Sequence, residues 1–157
     1  MSEILVNEIK HRNGTSAMTI DSDGLITNST HVYGRGSHNT NIGPSAYVTF
    51  STKNSSGGVT FVDSDTAMQV PVGGLYIVGC HALGNTSSGS LTIQFRKNGG
   101  DLNPAGNYFQ ETASGNDVGS MSTVTVLNAN DKVQFYVNAG VSHGNPSYNN
   151  FYVVKVG

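Results

Sequence analysis

The chain has 157 residues, 8 Lys+Arg against 10 Asp+Glu, and one cysteine. That length holds one domain with a short appendage. The charge balance excludes the basic stripe of a nucleic-acid binder, no apolar run is long enough for a membrane helix, and the lone Cys80 excludes an intrachain disulfide framework or a Cys-based zinc site.

Gly, Ser, Asn and Thr number 20, 18, 17 and 14, so poor helix formers dominate and turns are frequent. Glu3 and Glu8 interrupt the N-terminus, which lacks the apolar region of a secretory signal. Synthesis in a reducing cytoplasm is the expectation.

Residues 1–33 carry one apolar cluster, Ile4, Leu5, Val6 and Ile9, followed by short patches around Met18–Ile20 and Leu25–Ile26. None of these patches builds a core alone, so the segment reads as an arm whose apolar residues need an outside surface. Residues 34–44, GRGSHNTNIGP, read as a linker because of their Gly and Pro content.

From residue 45 the chain reads as strands. Ala46–Phe50, Val59–Val62 and Met68–Val70 come first, the last ending at Pro71, which cannot donate to a ladder. Leu75–Cys80 is nearly all apolar and reads as a central strand. Leu91–Arg96 alternates with Leu91, Ile93 and Phe95 inward, and Asn98-Gly99 then supplies a turn tolerant of positive φ. Ser122–Leu127 alternates again. Lys132–Val137 sends Val133, Phe135 and Val137 to one face, and Phe151–Val156 closes the chain. Some eight short strands separated by turns predict an all-β antiparallel sandwich or barrel.

Several strands also carry apolar or aromatic residues on the second face. Tyr76 lies beside Leu75 and Ile77, Tyr136 beside Phe135, and Tyr152 and Val154 beside Phe151 and Val153. A monomeric sandwich normally shows polar residues there. Tyr76, Tyr136 and Tyr152 are therefore expected at a contact between subunits.

No constellation for catalysis stands out. Gly-x-Ser-x-Gly does not occur, and His11, His31, His38, His81 and His143 are widely spaced. Asp21-Ser22-Asp23 and Asp63-Ser64-Asp65 lack the Glu of a calcium loop and read as turns. Cys80, in the most apolar strand, reads as a small core residue. Glu111 and Asp117 flank a Gly/Ser-rich loop as solvated charges. The polar stretches 99–116 and 138–150 combine Asn, Ser and Gly with Tyr108, Phe109, His143 and Tyr148. That mixture suits an adaptable contact surface.

Four segments in order resemble the C1q/TNF-like jelly-roll superfamily. Met68-Gln69-Val70-Pro71-Val72-Gly73-Gly74-Leu75-Tyr76 is similar to its aromatic-x-x-Pro-x-x-Gly-x-Tyr entry, with Met68 for the aromatic. Phe95-Arg96-Lys97-Asn98-Gly99 is similar to its strand ending in Lys-Asn-Gly. Val126–Val133 resembles its Leu-x-x-Gly-Asp-x-Val turn, with Asn130 for the Gly, and Phe151–Val154 resembles its closing strand. The resemblance spans residues 45–157 and implies an antiparallel jelly-roll sandwich and a compact homotrimer; the missing catalytic and ligand constellations, read from the residues themselves, give no enzyme and no cofactor or metal site as the expectation.

The opening, Ile4-Leu5-Val6-Asn7-x-Ile9 with Gly14, Met18–Ile20 and Gly24–Ile26, resembles the N-termini of short tail-fibre and other appendage proteins of bacterial viruses. It implies a structural protein on the virion surface, anchored to another virion protein through residues 1–30 by Ile4, Leu5, Val6 and Ile9. A short tail fibre would meet host surface glycans through Tyr108, Phe109, His143 and Tyr148. A capsid decoration, or cement, protein and a soluble ligand or lectin are the alternatives.

Overall fold

The computed structural model describes residues 8–10, 16–20, 26–27, 31–85, 90–102, 108–110 and 118–156. The chain divides into two units, residues 1–31 and 32–157. In the first, β1 (Glu8–Lys10), β2 (Ser16–Ile20) and β3 (Ile26–Thr27) form an antiparallel sheet in that order. Ile9 pairs with Met18 on β2, while Ile4, Leu5 and Val6 lie outside the described residues.

The second unit is a sandwich of two antiparallel sheets. One has the order β13 (Val118–Leu127), β9 (Gly74–Leu83), β15 (Asn150–Lys155), β4 (Tyr33–Ser37), β6 (Thr52–Ser56). The other runs β11 (Gly100–Asp101), β10 (Thr92–Lys97), β14 (Lys132–Ala139), β8 (Ala67–Gln69), β7 (Thr60–Val62). To it β12 (Tyr108–Gln110) adds by pairing with β10, and β5 (Ala46–Tyr47) by pairing with β14.

Alternation puts the inward residues of both sheets into one core. Ile93 and Phe95, Val133, Phe135 and Val137, and Phe151 and Val153 are fully buried, on the faces their strands' patterns predict. Aromatic rings stitch the layers together. Phe135 on β14 meets Phe151 on β15 at 5.0 Å between centroids, and Phe50 touches Phe61, Phe135 and Phe151. Edge-to-face contacts of this kind add about 0.5–1.5 kcal/mol each beyond area burial. Cys80 is buried in the same core, and burial pushes its thiol up to about 12, so it stays protonated and inert.

Residues 34–44 are not a linker. β4 is an interior strand, paired with β15 on one side and β6 on the other. Its glycines are there because the core comes right up to the backbone. A Cβ on Gly36 would sit 2.5 Å from Cδ1 of Phe50. Phe50 is itself buried among three other rings and has nowhere to retreat. Gly36→Ala should therefore destabilise the fold by about 3 kcal/mol, the upper part of the overpacking range, as read by chemical denaturation. A loss of under about 0.5 kcal/mol would mean that Phe50 yields. β6 escapes pattern recognition for another reason: TKNSS is exposed along its whole length, as suits a polar edge strand.

Turn chemistry closes the connections. Asn98 and Gly99 take positive φ of 53° and 85° and turn β10 into β11, as the Asn-Gly pair predicts. Asp63, Ser64 and Asp65 all take positive φ, and each carboxylate meets a lysine, Asp63 with Lys132 at 2.8 Å and Asp65 with Lys53 at 2.6 Å.

Candidate functional site

The outer face of the five-stranded sheet is built in rows by its register. Val126 on β13 lies opposite Leu75 on β9, and Val156 donates its N–H to the Leu75 carbonyl just beyond β15. The next row is Val124, Ile77, Val154 and Tyr33. After it come Ser122, Gly79, Tyr152 and Arg35, then Ser120, His81 and Asn150. The first two rows are apolar and open to solvent: Val126 is 64% exposed, Val124 57%, Leu75 43%, Val156 42% and Val154 38%. Tyr152 borders them with its ring laid across Gly79, where a Cβ would stand 2.3 Å from the ring. A contiguous apolar patch of this kind on a sheet face marks a surface that meets something else.

Two of the three tyrosines expected on that surface lie elsewhere. Tyr76 points inward and is completely buried. Its hydroxyl donates to the Val72 carbonyl at 2.7 Å, so the polar tip is satisfied while the ring fills the core. Burial also raises its pKa. The outward residues of β9 are its neighbours, Leu75 and Ile77. Tyr136 is on the other sheet, on the opposite outer face, beside Tyr47 at 5.1 Å between centroids. Arg96 stacks on it at 3.6 Å and donates from a terminal nitrogen to the Tyr47 hydroxyl at 3.1 Å. Its Nε donates to Gln94 Oε1 at 3.0 Å. Tyr136 thus belongs to a self-contained polar and aromatic cluster.

The two polar stretches also differ from plain loops. Gly100–Asp101 and Tyr108–Gln110 are strands, with Gln94 opposite Tyr108 and Ile93 opposite Phe109. Glu111 and Asp117 lie outside the described residues. In the second stretch Tyr148 is 49% exposed, whereas His143 is half-buried at the end of the sandwich.

That end is closed by a polar knot. His38 is fully buried, with Nδ1 2.9 Å from the Thr40 carbonyl and Nε2 2.9 Å from Ser142 Oγ. A carbonyl only accepts, so Nδ1 carries the proton and Nε2 accepts from the serine. The Phe151 ring packs beside His38 at 5.6 Å. Ser142 is buried too, which makes the pair a brace and not an exposed nucleophile. Burial lowers the His38 pKa below its usual 6.5; the Thr40 carbonyl opposes the fall and nearby His143 adds to it. The stability this brace contributes is complete above pH 6.5. It is lost as the pH drops below that value, where the unfolded chain takes up a proton that the folded one refuses. The melting temperature should therefore fall between pH 7 and pH 5.5, and should fall less in His38→Gln. Equal slopes for the two proteins would show that His38 is not the titrating group.

No protein-family model matches the chain, and no curated protein matches it in sequence. Solved structures share its fold. The Eiger TNF of S. frugiperda is 14% identical, with a TM-score of 0.55 over 82% of this chain and 94% of that one. The globular domain of zebrafish complement 1qA is 17% identical, with a TM-score of 0.57 over 82% and 98%. Pika GITRL is 18% identical, with a TM-score of 0.52 over 82% and 98%. The fold is a C1q/TNF-like jelly-roll sandwich.

Proposed function

We propose that this chain is a non-enzymatic, homotrimeric structural module on the surface of a bacteriophage particle, serving as a short tail fibre. The observation that carries self-association is the pair of open apolar rows, Val126/Leu75/Val156 and Val124/Ile77/Val154. Covering them in a neighbouring copy contributes about 1 kcal/mol per half-exposed side chain, repeated at every interface of a closed ring. Tyr152 extends the apolar surface at one border. Tyr136, on the far sheet, takes no part.

The virion role rests on the N-terminal segment. Its described strands belong to a unit separate from the sandwich, and its sequence resembles the openings of phage appendage proteins. It serves as the docking element for another virion protein, leaving Tyr148 and its loop to contact the host surface.

A protein shortened to residues 32–157 is the test. It should remain a soluble trimer and no longer join phage particles. Normal incorporation would overturn the anchoring role. If the shortened protein is missing from particles whose adsorption is unchanged but whose capsids melt at a lower temperature, the protein is a capsid clamp and the fibre reading is overturned.

A further inference from the structure

Beside the apolar rows, at the β4–β6 edge of the same sheet face, the register sets two polar pairs next to each other: Arg35 opposite Asn54, and Ser37 opposite Thr52. The segment before β15 raises Ser147 and Asn149 against them and borders an open cleft of about 360 Å³. That volume lies within the range of small-ligand sites, about 300–1,000 Å³. No carboxylate lines the cleft among the described residues.

The donors are held in place by their partners. Arg35 Nε donates to Asn150 Oδ1 at 2.8 Å, which fixes the guanidinium plane and leaves its terminal nitrogens for a ligand. Tyr33 donates its hydroxyl to Asn54 Oδ1 at 3.1 Å, which leaves the Asn54 NH2 as a donor. Asn149 is already committed: its oxygen accepts from the Leu83 N–H and its NH2 donates to the carbonyls of His143 and Asn145. It is a rigid wall. The hydroxyls of Ser37, Thr52 and Ser147 complete a lining that both donates and accepts.

We propose that this cleft binds a carboxylate-bearing sugar unit. The guanidinium matches a carboxylate with two parallel hydrogen bonds, and the Asn54 amide and the hydroxyls match the ring hydroxyls. A lone cation among neutral hydroxyls suits a singly charged polyol better than a compact dianion such as phosphate. The site is built from one chain and does not depend on what covers the apolar rows, so its failure leaves the assembly reading standing. It gives the host-contact role a ligand class.

The test titrates the full-length protein by NMR or calorimetry at low salt. The probes are glucuronate, N-acetylneuraminate, uncharged methyl glucoside and inorganic phosphate. One or both acidic sugars should bind saturably, at least tenfold more tightly than methyl glucoside or phosphate. Arg35→Gln should weaken that binding at least tenfold with an unchanged melting temperature. Asn54→Asp, on the exposed edge strand, should weaken it similarly by placing a like charge in the cleft. Failure of both acidic sugars to bind, equal binding of methyl glucoside, phosphate binding as tightly as the sugars, or binding insensitive to both substitutions would each overturn the proposal.

Discussion

Val124→Asp and Val126→Asp should each give a folded monomer. Both side chains stand on an edge strand and are more than half exposed in the single chain, so a carboxylate there is hydrated and costs the fold little. In the proposed trimer the same carboxylate is covered by a neighbour, with no cation in its own row. A buried unpaired charge of that kind costs about 3–5 kcal/mol, or roughly a 100- to 5,000-fold loss in association, and a ring pays it at every interface. Tyr152→Asp, at the border of the patch, should weaken assembly less. Tyr136→Asp should leave assembly alone, because that ring sits on the other sheet over Arg96. Sedimentation velocity of the four proteins distinguishes these outcomes. Dissociation by Tyr136→Asp with intact assembly in Val124→Asp would place the interface on the wrong face.

The second large effect concerns the start of the domain. A chain beginning at residue 45 should not fold, whereas one beginning at Val32 should. The shorter chain lacks β4, so β15 and β6 lose their shared partner in mid-sheet. It also lacks the buried Val32, whose carbonyl accepts from the Lys155 N–H, and the buried His38 that braces Ser142. The two lost ladders leave backbone donors and acceptors on β15 and β6 unpaired, and each uncovered core residue costs about 1.5–3 kcal/mol. Against a typical net stability of about 5–15 kcal/mol, that loss is decisive. Circular dichroism and thermal melting read the result directly. A cooperative melt from the chain beginning at residue 45 would show that β4 is dispensable.

These residues explain what the sequence disclosed. β10 alternates large apolar side chains with polar ones, and on β14 and β15 the large apolar residues Phe135 and Phe151 recur with valine two positions on, so their inward faces could be read residue by residue. β4 could not, because YGRGS has no large apolar residue: its contribution to the core is the space its glycines leave for Phe50. Because residues 34–44 read as a linker, nothing in the sequence singles out Arg35, or the cleft it lines. β13 failed differently. Threonine and valine alternate there, both β-branched, so the pattern fixes a strand without saying which face is wet, and Val124 and Val126 turn out to be the wet ones. On β9 an almost continuous apolar run concealed the phase. Tyr76 reads as the outward neighbour of Leu75 and Ile77, but it points inward, where the Val72 carbonyl four residues back satisfies its hydroxyl. The one signal that could have reversed the assignment was the Pro71-x-x-Gly74-x-Tyr76 spacing itself, which brings that carbonyl within reach.

The apolar rows of the five-stranded sheet are proposed to seat further copies of the same chain. The most direct test is the mass of the intact protein in solution at micromolar concentration, by light scattering or analytical ultracentrifugation. The expected mass is three times the 16.5 kDa chain, about 50 kDa, unchanged on tenfold dilution. A monodisperse 16.5 kDa species at that concentration would contradict it.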